Sequence, residues 1–182
     1  MTEQFVIEPL AKARDRSGFR CGNERIDQYF HHTVSQDIKR DHATCFVARD
    51  VATNRIAGFH TLSASNVPLV DVPPELARRL PRYPSVPAVL IGWLARDLDF
   101  AGAGVGELLL ADAIHTHSRA NTLLVVDCLT LWLTNWLMPA EEFKENRPPA
   151  HTSKEQIAML LVAIKNAPGP VVLVGNEIGL GV

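Results

Sequence analysis

The sequence predicts an α/β protein, a mixed central sheet with helices on both faces. Three observations lead there. Apolar segments of strand length alternate with segments whose apolar residues recur at helical spacing. In the front of the chain, "ATCFVARD" and "RIAGFHTLSASNV" flank the turn "VATN", the pattern of an antiparallel hairpin. In the back, the apolar runs "LLVVDC" and "PVVLVGNE" are separated by a helical segment, so the second can return parallel to the first.

Each element follows from its residues. "QFVIEPL" reads as the first strand. "CGNERIDQYFHHTVSQDIKRD" sets Ile26, Tyr29, Phe30, Val34 and Ile38 near helical spacing, with Asn23 as N-cap. The hairpin comes next. Pro68, Pro73, Pro74, Pro81, Pro84 and Pro87 then interrupt any long regular element, leaving room for one short helix at "PELARRL". "AVLIGWLARD" is a buried strand, and "GVGELLLADAIHTHSRA" is a helix entered through glycines. After "LLVVDC" the stretch "MPAEEFKENRPPAHT" is polar and proline-bearing, a loop or linker. "SKEQIAMLLVAIKNAPG" is a marked helix: Ser153 and Gln156 form a capping box, and Gly169 follows its end. Its Ile157, Leu160, Leu161 and Ile164 form one stripe, whose burial contributes on the order of 6–12 kcal/mol before entropy. "PVVLVGNEIGLGV" is a buried strand ending in a polar, glycine-rich turn.

Composition narrows the function classes. A chain of 182 residues forms one domain or two small ones, and 47% apolar content supports a real core. Its net charge of −2 makes it no general magnet for nucleic acid, and Arg78, Arg79 and Arg82 read as a solvated loop. No apolar run approaches the roughly 20 residues that span a bilayer. The start "MTEQFVIEPLAKARD" lacks the basic and apolar regions of a signal peptide. Cys21, Cys45 and Cys128 are an odd, scattered set without CxxC, read as reduced thiols of a cytoplasmic protein. His31, His32 and His42 lie near Cys45 in sequence, but adjacent histidines on a helix face different ways and make no ligand set. Trp132 and Trp136 are i, i+4 apolar neighbours, read as core.

One stretch carries chemistry in its backbone. "AGAGVG", residues 101–106, joins a strand to a helix, so successive N–H groups converge at a helix N-terminus, where a diphosphate is favoured. Gly102, Gly104 and Gly106 admit a ligand without an intervening Cβ. It is not a P-loop, because the chain has no Gly-Lys dipeptide, and it is a poor dinucleotide fingerprint, because GxGxG lacks the final offset.

The order of elements, with "FRCGNERIDQYFHHTVSQDIKRD", "GFHTLSASNV" and "RYPSVPAVLIGWLARDLDFAGAGVGELLLADAI", resembles the GNAT acetyltransferases, and most closely the acetyltransferase toxins of type II toxin–antitoxin pairs. The resemblance covers residues 4–119. It implies that backbone at Trp93, Leu94, Ala95 and Arg96 holds the pantetheine arm of acetyl-CoA. It implies that Ala101, Gly102, Ala103, Gly104, Val105 and Gly106 hold the pyrophosphate. The implied acceptor is a primary amine, for the toxins the amino acid of a charged tRNA, and the implied protein partner is an antitoxin. The chain departs from the family at Ala101 and Ala103, where glutamine or arginine is usual, and at Trp93 and Arg96, where arginine and valine are usual. The family's tyrosine, which protonates the departing thiolate, has no counterpart, because no tyrosine follows Tyr83. The implied acetyltransferase is impaired, and no catalytic residue is assigned.

"VDCLTLWLTN" and "NEIGLG" are instead similar to adenosylcobinamide kinase / adenosylcobinamide-phosphate guanylyltransferase of cobalamin biosynthesis, over residues 121–182. That resemblance implies GTP or ATP with Mg²⁺, with Asp127 as a metal ligand and Asn176 and Glu177 lining the same crevice. It lacks that family's glycine-rich phosphate loop and guanylylated histidine. The expected organisation is therefore a chimera: an acetyl-CoA-binding region over 1–120, incomplete at its C-terminal end, followed by a kinase-like fragment over 121–182. The join falls near Ala120–Val126, where the family's "VVDA" and this chain's "VVDC" are alike.

Overall fold

In a computed structural model describing residues 4–78, 82–127 and 150–175, the chain forms one mixed sheet. The strands are β1 (Phe5–Pro9), β2 (Thr44–Asp50), β3 (Ile56–Pro68), β4 (Ser85–Arg96), β5 (Leu123–Asp127) and β6 (Val171–Val174), and they lie in sequence order across the sheet. β1 to β4 pair antiparallel, and β5 pairs parallel to both β4 and β6. The expected hairpin is present, with Asn54 in the left-handed region at its turn.

The first helical segment is not one regular helix. α1 (Glu24–Gln28) runs through a π-turn, Tyr29–Thr33, into α2 (Val34–Lys39). Asn23 caps α1, its side chain accepting from the N–H groups of Arg25 and Ile26. The wider turn lets Phe30 and Val34 both point into the sheet, where Phe30 stacks on Phe59 with ring centroids 4.0 Å apart. The short helix α3 (Pro74–Ala77) follows the proline-rich stretch.

Side chains sort by face. Phe19, Phe30, Val34, Val47 and Phe59 build the core under α1 and α2, and Val86, Ala88, Leu123 and Val125 lie under α3. Behind the sheet stand α4 (Val105–His117) and α5 (Ala150–Lys165). Their cluster joins Leu110, Ala113, Ile114 and Leu160 to Ile91, Leu124 and Val126. The helices thus cover both faces, as the alternation of patterns requires.

The stripe expected on α5 is only partly buried. Leu160 is 5% exposed and Ile164 is half-buried, but Leu161 is 60% exposed and Ile157 lies at the surface. Ala163 on the helix and Ala167 just past its end contact the core instead, so the helix turns a smaller face inward than the four-residue stripe suggests. α5 begins at Ala150, so Ser153 and Gln156 fall within the helix and do not form the expected N-terminal capping box; Cys128 and the two tryptophans at 132 and 136 lie outside the described residues.

Candidate functional site

The site begins with an irregularity in β4. The register runs from Leu62↔Ile91 to His60↔Leu94, so Gly92 and Trp93 together oppose Thr61. This β-bulge bends β4 and reverses its alternation. Ala88 and Leu90 belong to the cluster under α3, Ile91 to the cluster behind the sheet, and Trp93 and Ala95 return to the front face. The hydroxyl of buried Thr61 accepts the Trp93 N–H at 3.0 Å and fills the gap the bulge leaves in the ladder.

β5 follows β4 only up to this bend. Their ladder pairs Ala88↔Leu123 through Ile91↔Val126 and stops there, whereas β4 continues to Arg96. Among the described residues the backbone of Gly92–Arg96 has no ladder partner on its β5 side, and this break in the ladder forms a slot. Asp127, exposed, stands one position past Val126, at the mouth of that slot.

The slot leads to the glycine turn. Asp97, 2% exposed, anchors the turn's start by accepting the N–H groups of Arg20 at 2.8 Å and Asp99 at 3.0 Å. Gly102 (φ 77) and Gly104 (φ 73) adopt left-handed backbone, which a side chain would strain. Gly104 is the N-cap of α4, and the Val105 and Gly106 amides of its first turn have no intrahelical acceptor. Gly102 and Ala103 are exposed, so the turn is open to solvent.

Gly58 on β3 sets the height of this helix end. A Cβ there would lie 2.7 Å from Val105 Cγ1, 2.9 Å from Leu109 Cδ1 and 2.8 Å from the Ala95 carbonyl oxygen. Only glycine lets the first turn of α4 rest on the sheet. An isolated glycine within a strand pattern is the signal that could have found it.

Two charges lie beneath the turn. Burial pushes the Glu107 carboxyl above its ordinary range, with Arg96 opposing that shift. Burial likewise lowers Arg96, against the pull of Glu107 and Asp97, and its guanidinium donates to the Asp97 carbonyl at 3.3 Å. Arg96 is costly on this strand unless opposed, and Glu107, absent from the sequence-based site, opposes it. Nearer the slot, Trp93 stacks on Tyr29 (4.8 Å, 25°), and the Arg25 guanidinium lies 5.5 Å from its ring centroid. Burial, then the Asp37 carboxylate, pushes the Tyr29 phenol up.

The residues expected from Trp93 to Arg96 lie at the end of β4, those from Ala101 to Gly106 on the turn into α4, and Asp127 at the end of β5, one position past the β4–β5 ladder. Asn176 and Glu177 lie outside the described residues. No cluster of three or more metal-ligating side chains occurs among the described residues, His31, His32 and His42 included.

Comparison with known proteins finds two kinds of relative. Over 110 residues it is 31% identical to a probable toxin TacT of Sinorhizobium fredii, covering 60% of this chain and 61% of the relative. Over 106 residues it is 32% identical to a tRNA-acetylating toxin of Mycobacterium tuberculosis, covering 58% and 61%. The crystal structure of a tyrosine-to-phenylalanine mutant of KacT superposes with a TM-score of 0.57 at 28% identity, covering 63% of this chain and 69% of that one. The chain thus spans about three-fifths of the length of the curated toxins it matches.

The tail matches elsewhere. Residues 105–182 fit the family model of cobinamide kinase / cobinamide phosphate guanyltransferase. Over 75 residues the chain is 41% identical to the bifunctional adenosylcobalamin biosynthesis protein CobP of Pseudomonas aeruginosa, covering 41% of this chain and 39% of the relative. The chain therefore resembles an acetyltransferase toxin in front and a cobinamide kinase behind. The family match begins at Val105, so α4 is common to both resemblances.

Proposed function

We propose that this chain is a GNAT-like N-acetyltransferase that moves an acetyl group from acetyl-CoA to a primary amine, with the amino acid of a charged tRNA as its acceptor. The observation that carries this reading is the slot where the β4–β5 ladder ends before Gly92–Arg96, with β4 running on into the turn at 101–106, whose Gly102 and Ala103 are exposed. The β4 backbone there, without a β5 partner among the described residues, suits an extended amide-bearing arm, and amides at a helix N-terminus suit paired phosphates. Acetyl-CoA supplies the activated thioester. In this reading Trp93, Leu94, Ala95 and Arg96 hold the pantetheine arm through main chain, and Ala101, Gly102, Ala103, Gly104, Val105 and Gly106 hold the pyrophosphate. Main-chain N–H groups of β4 polarise the thioester carbonyl.

Turnover is slow in this reading, because no tyrosine follows Tyr83 to protonate the leaving thiolate. The regions 1–120 and 121–182 act as cofactor-binding part and borrowed tail, in a cytoplasmic protein paired with an antitoxin. A relative named as a tRNA-acetylating toxin supports the acceptor.

The family match over 105–182 favours one alternative, a fragment of the cobinamide kinase / guanylyltransferase using GTP or ATP with Mg²⁺. Asp127 is then the Mg²⁺ ligand, beside Asn176 and Glu177. The missing Gly-Lys phosphate loop opposes it.

Thermal-shift titration of the full chain with acetyl-CoA, and separately with GTP–Mg²⁺, tests both. A ligand at 100 times its Kd stabilises by about 2.7 kcal/mol. A rise with acetyl-CoA alone supports the acetyltransferase, a rise with GTP alone supports the kinase fragment, and no rise with either identifies a chimera without catalysis.

A further inference from the structure

We propose that Asp127 is the catalytic proton acceptor for the acceptor amine, an inference that rests on the acetyltransferase reading. Three placements carry it. The β4–β5 ladder ends at Ile91↔Val126, so Asp127 occupies the first position beyond the paired strands, beside the Gly92–Trp93 bulge. The β5–β6 ladder still includes Asp127, paired with Val174, so its backbone is fixed in the sheet while its side chain is exposed. Alternation then sets its direction. Leu124 and Val126 pack behind the sheet, and Leu123 and Val125 pack in front, so Asp127 faces front, the side on which Trp93 meets Tyr29.

The carboxylates around the glycine turn are committed. Glu107 is buried opposite Arg96. Asp97 is buried and accepts two backbone N–H groups. Asp99 pairs with Arg55 at 2.7 Å.

The step balances without a further reactant. The amine's lone pair forms the N–C bond to the thioester carbonyl carbon, and the C–S bonding pair leaves with sulfur. As the N–C bond forms, the nitrogen becomes acidic, and its proton passes to the Asp127 carboxylate and then to solvent. The thiolate takes its own proton from water. Before transfer, the same carboxylate attracts the acceptor in its cationic form into the slot, where it gives one proton to water, and the neutral amine that results makes the attack. A residue from the tail thereby completes a site whose cofactor cradle belongs to the front.

The test uses the full chain, acetyl-CoA and total charged tRNA, with thiol release as the readout and acetyl-CoA binding measured separately by calorimetry. Asp127→Asn is expected to lower kcat/KM for the tRNA about 100-fold while acetyl-CoA affinity stays within twofold. Asp127→Ala is expected to regain activity on adding formate, which a structural role would not produce. Wild-type rates in Asp127→Asn, or loss of acetyl-CoA binding in both variants without formate rescue, overturn the assignment of Asp127 alone. Wild-type protein that binds acetyl-CoA without transfer also overturns it. Wild-type protein that does not bind acetyl-CoA overturns the acetyltransferase reading with it.

Discussion

Ser118 and Gly169 hold each other through two hydrogen bonds. The Gly169 N–H donates to Ser118 Oγ at 3.0 Å, and the Ser118 hydroxyl donates to the Gly169 carbonyl at 3.4 Å. Ser118 caps the end of α4 and is fully buried; Gly169 lies in the turn between α5 and β6. The contact joins the toxin-like front to the kinase-like tail. Since Leu160 of α5 also enters the cluster of Leu110, Ala113 and Ile114, the tail serves as a layer of the fold.

That contact tolerates no side chain on the tail. A Cβ on Gly169 would lie 1.8 Å from the Arg119 carbonyl oxygen and 2.5 Å from its carbon, both backbone atoms. Gly169→Ala is expected to cost about 3 kcal/mol, the upper end for overpacking. Ser118→Ala removes the partner of a part-buried N–H and is expected to cost about 1–2 kcal/mol. Urea denaturation of the two variants checks both values, and wild-type midpoints would mean that the tail does not dock on α4.

The glycine turn depends on a residue far from it in sequence. Gly58→Ala pushes against Val105, Leu109 and the Ala95 carbonyl together, so the first turn of α4 must lift from the sheet. The expected result is a stability loss of about 1–3 kcal/mol together with at least tenfold weaker acetyl-CoA binding. Gly102→Ala strains its own left-handed backbone, by about 1 kcal/mol. It should weaken binding with little loss of Tm. Calorimetry with acetyl-CoA beside melting curves separates the two effects.

Local signals made most of this fold legible. Asn23 announced α1, "VATN" the hairpin, and the glycines the entry to α4, each through chemistry within a few residues. The π-turn at Tyr29–Thr33 was not legible, because it is set by the fit of Phe30 and Val34 against Phe59 across the sheet. The same holds for α5, where a regular stripe gave no sign that Leu161 would stay exposed. At the site, the cradle could be read from its glycines. The bulge at Gly92–Trp93, the support at Gly58 and the Glu107 opposite Arg96 arise only when distant strands pair.

Arg96 and Glu107 should behave as one unit. Each is the leading opposite charge acting on the other in a desolvated place beneath the turn. Glu107→Gln alone leaves a half-buried cation without its leading opposite charge, and Arg96→Met alone leaves a buried carboxylate without its own. Each single variant is expected to lose about 1–2 kcal/mol, and the double variant less than their sum, with a coupling of at least about 0.5 kcal/mol. Denaturant unfolding of the four proteins gives the cycle; strict additivity would show that the two charges do not interact.

Acid should unfold the protein through His60. Its ring is fully buried, stacks on Phe46 at 5.3 Å and has neither nitrogen hydrogen-bonded among the described residues. Burial, and secondarily the charge of His117, holds it down to about 4, against 6.5 in an unfolded chain. Burial lowers His117 as well, and that ring lies 5.0 Å from Phe46. Between pH 6.5 and about 4 the unfolded chain binds a proton that the folded chain refuses at His60. Stability is therefore complete above 6.5 and falls as pH drops toward 4, by roughly 2–3 kcal/mol from this residue. His60→Phe keeps the stacked ring and removes the titration, so urea midpoints across this range should flatten. His115→Gln, at an exposed position, should leave the acid limb unchanged. An equally steep limb in His60→Phe would place the acid sensitivity elsewhere in the fold.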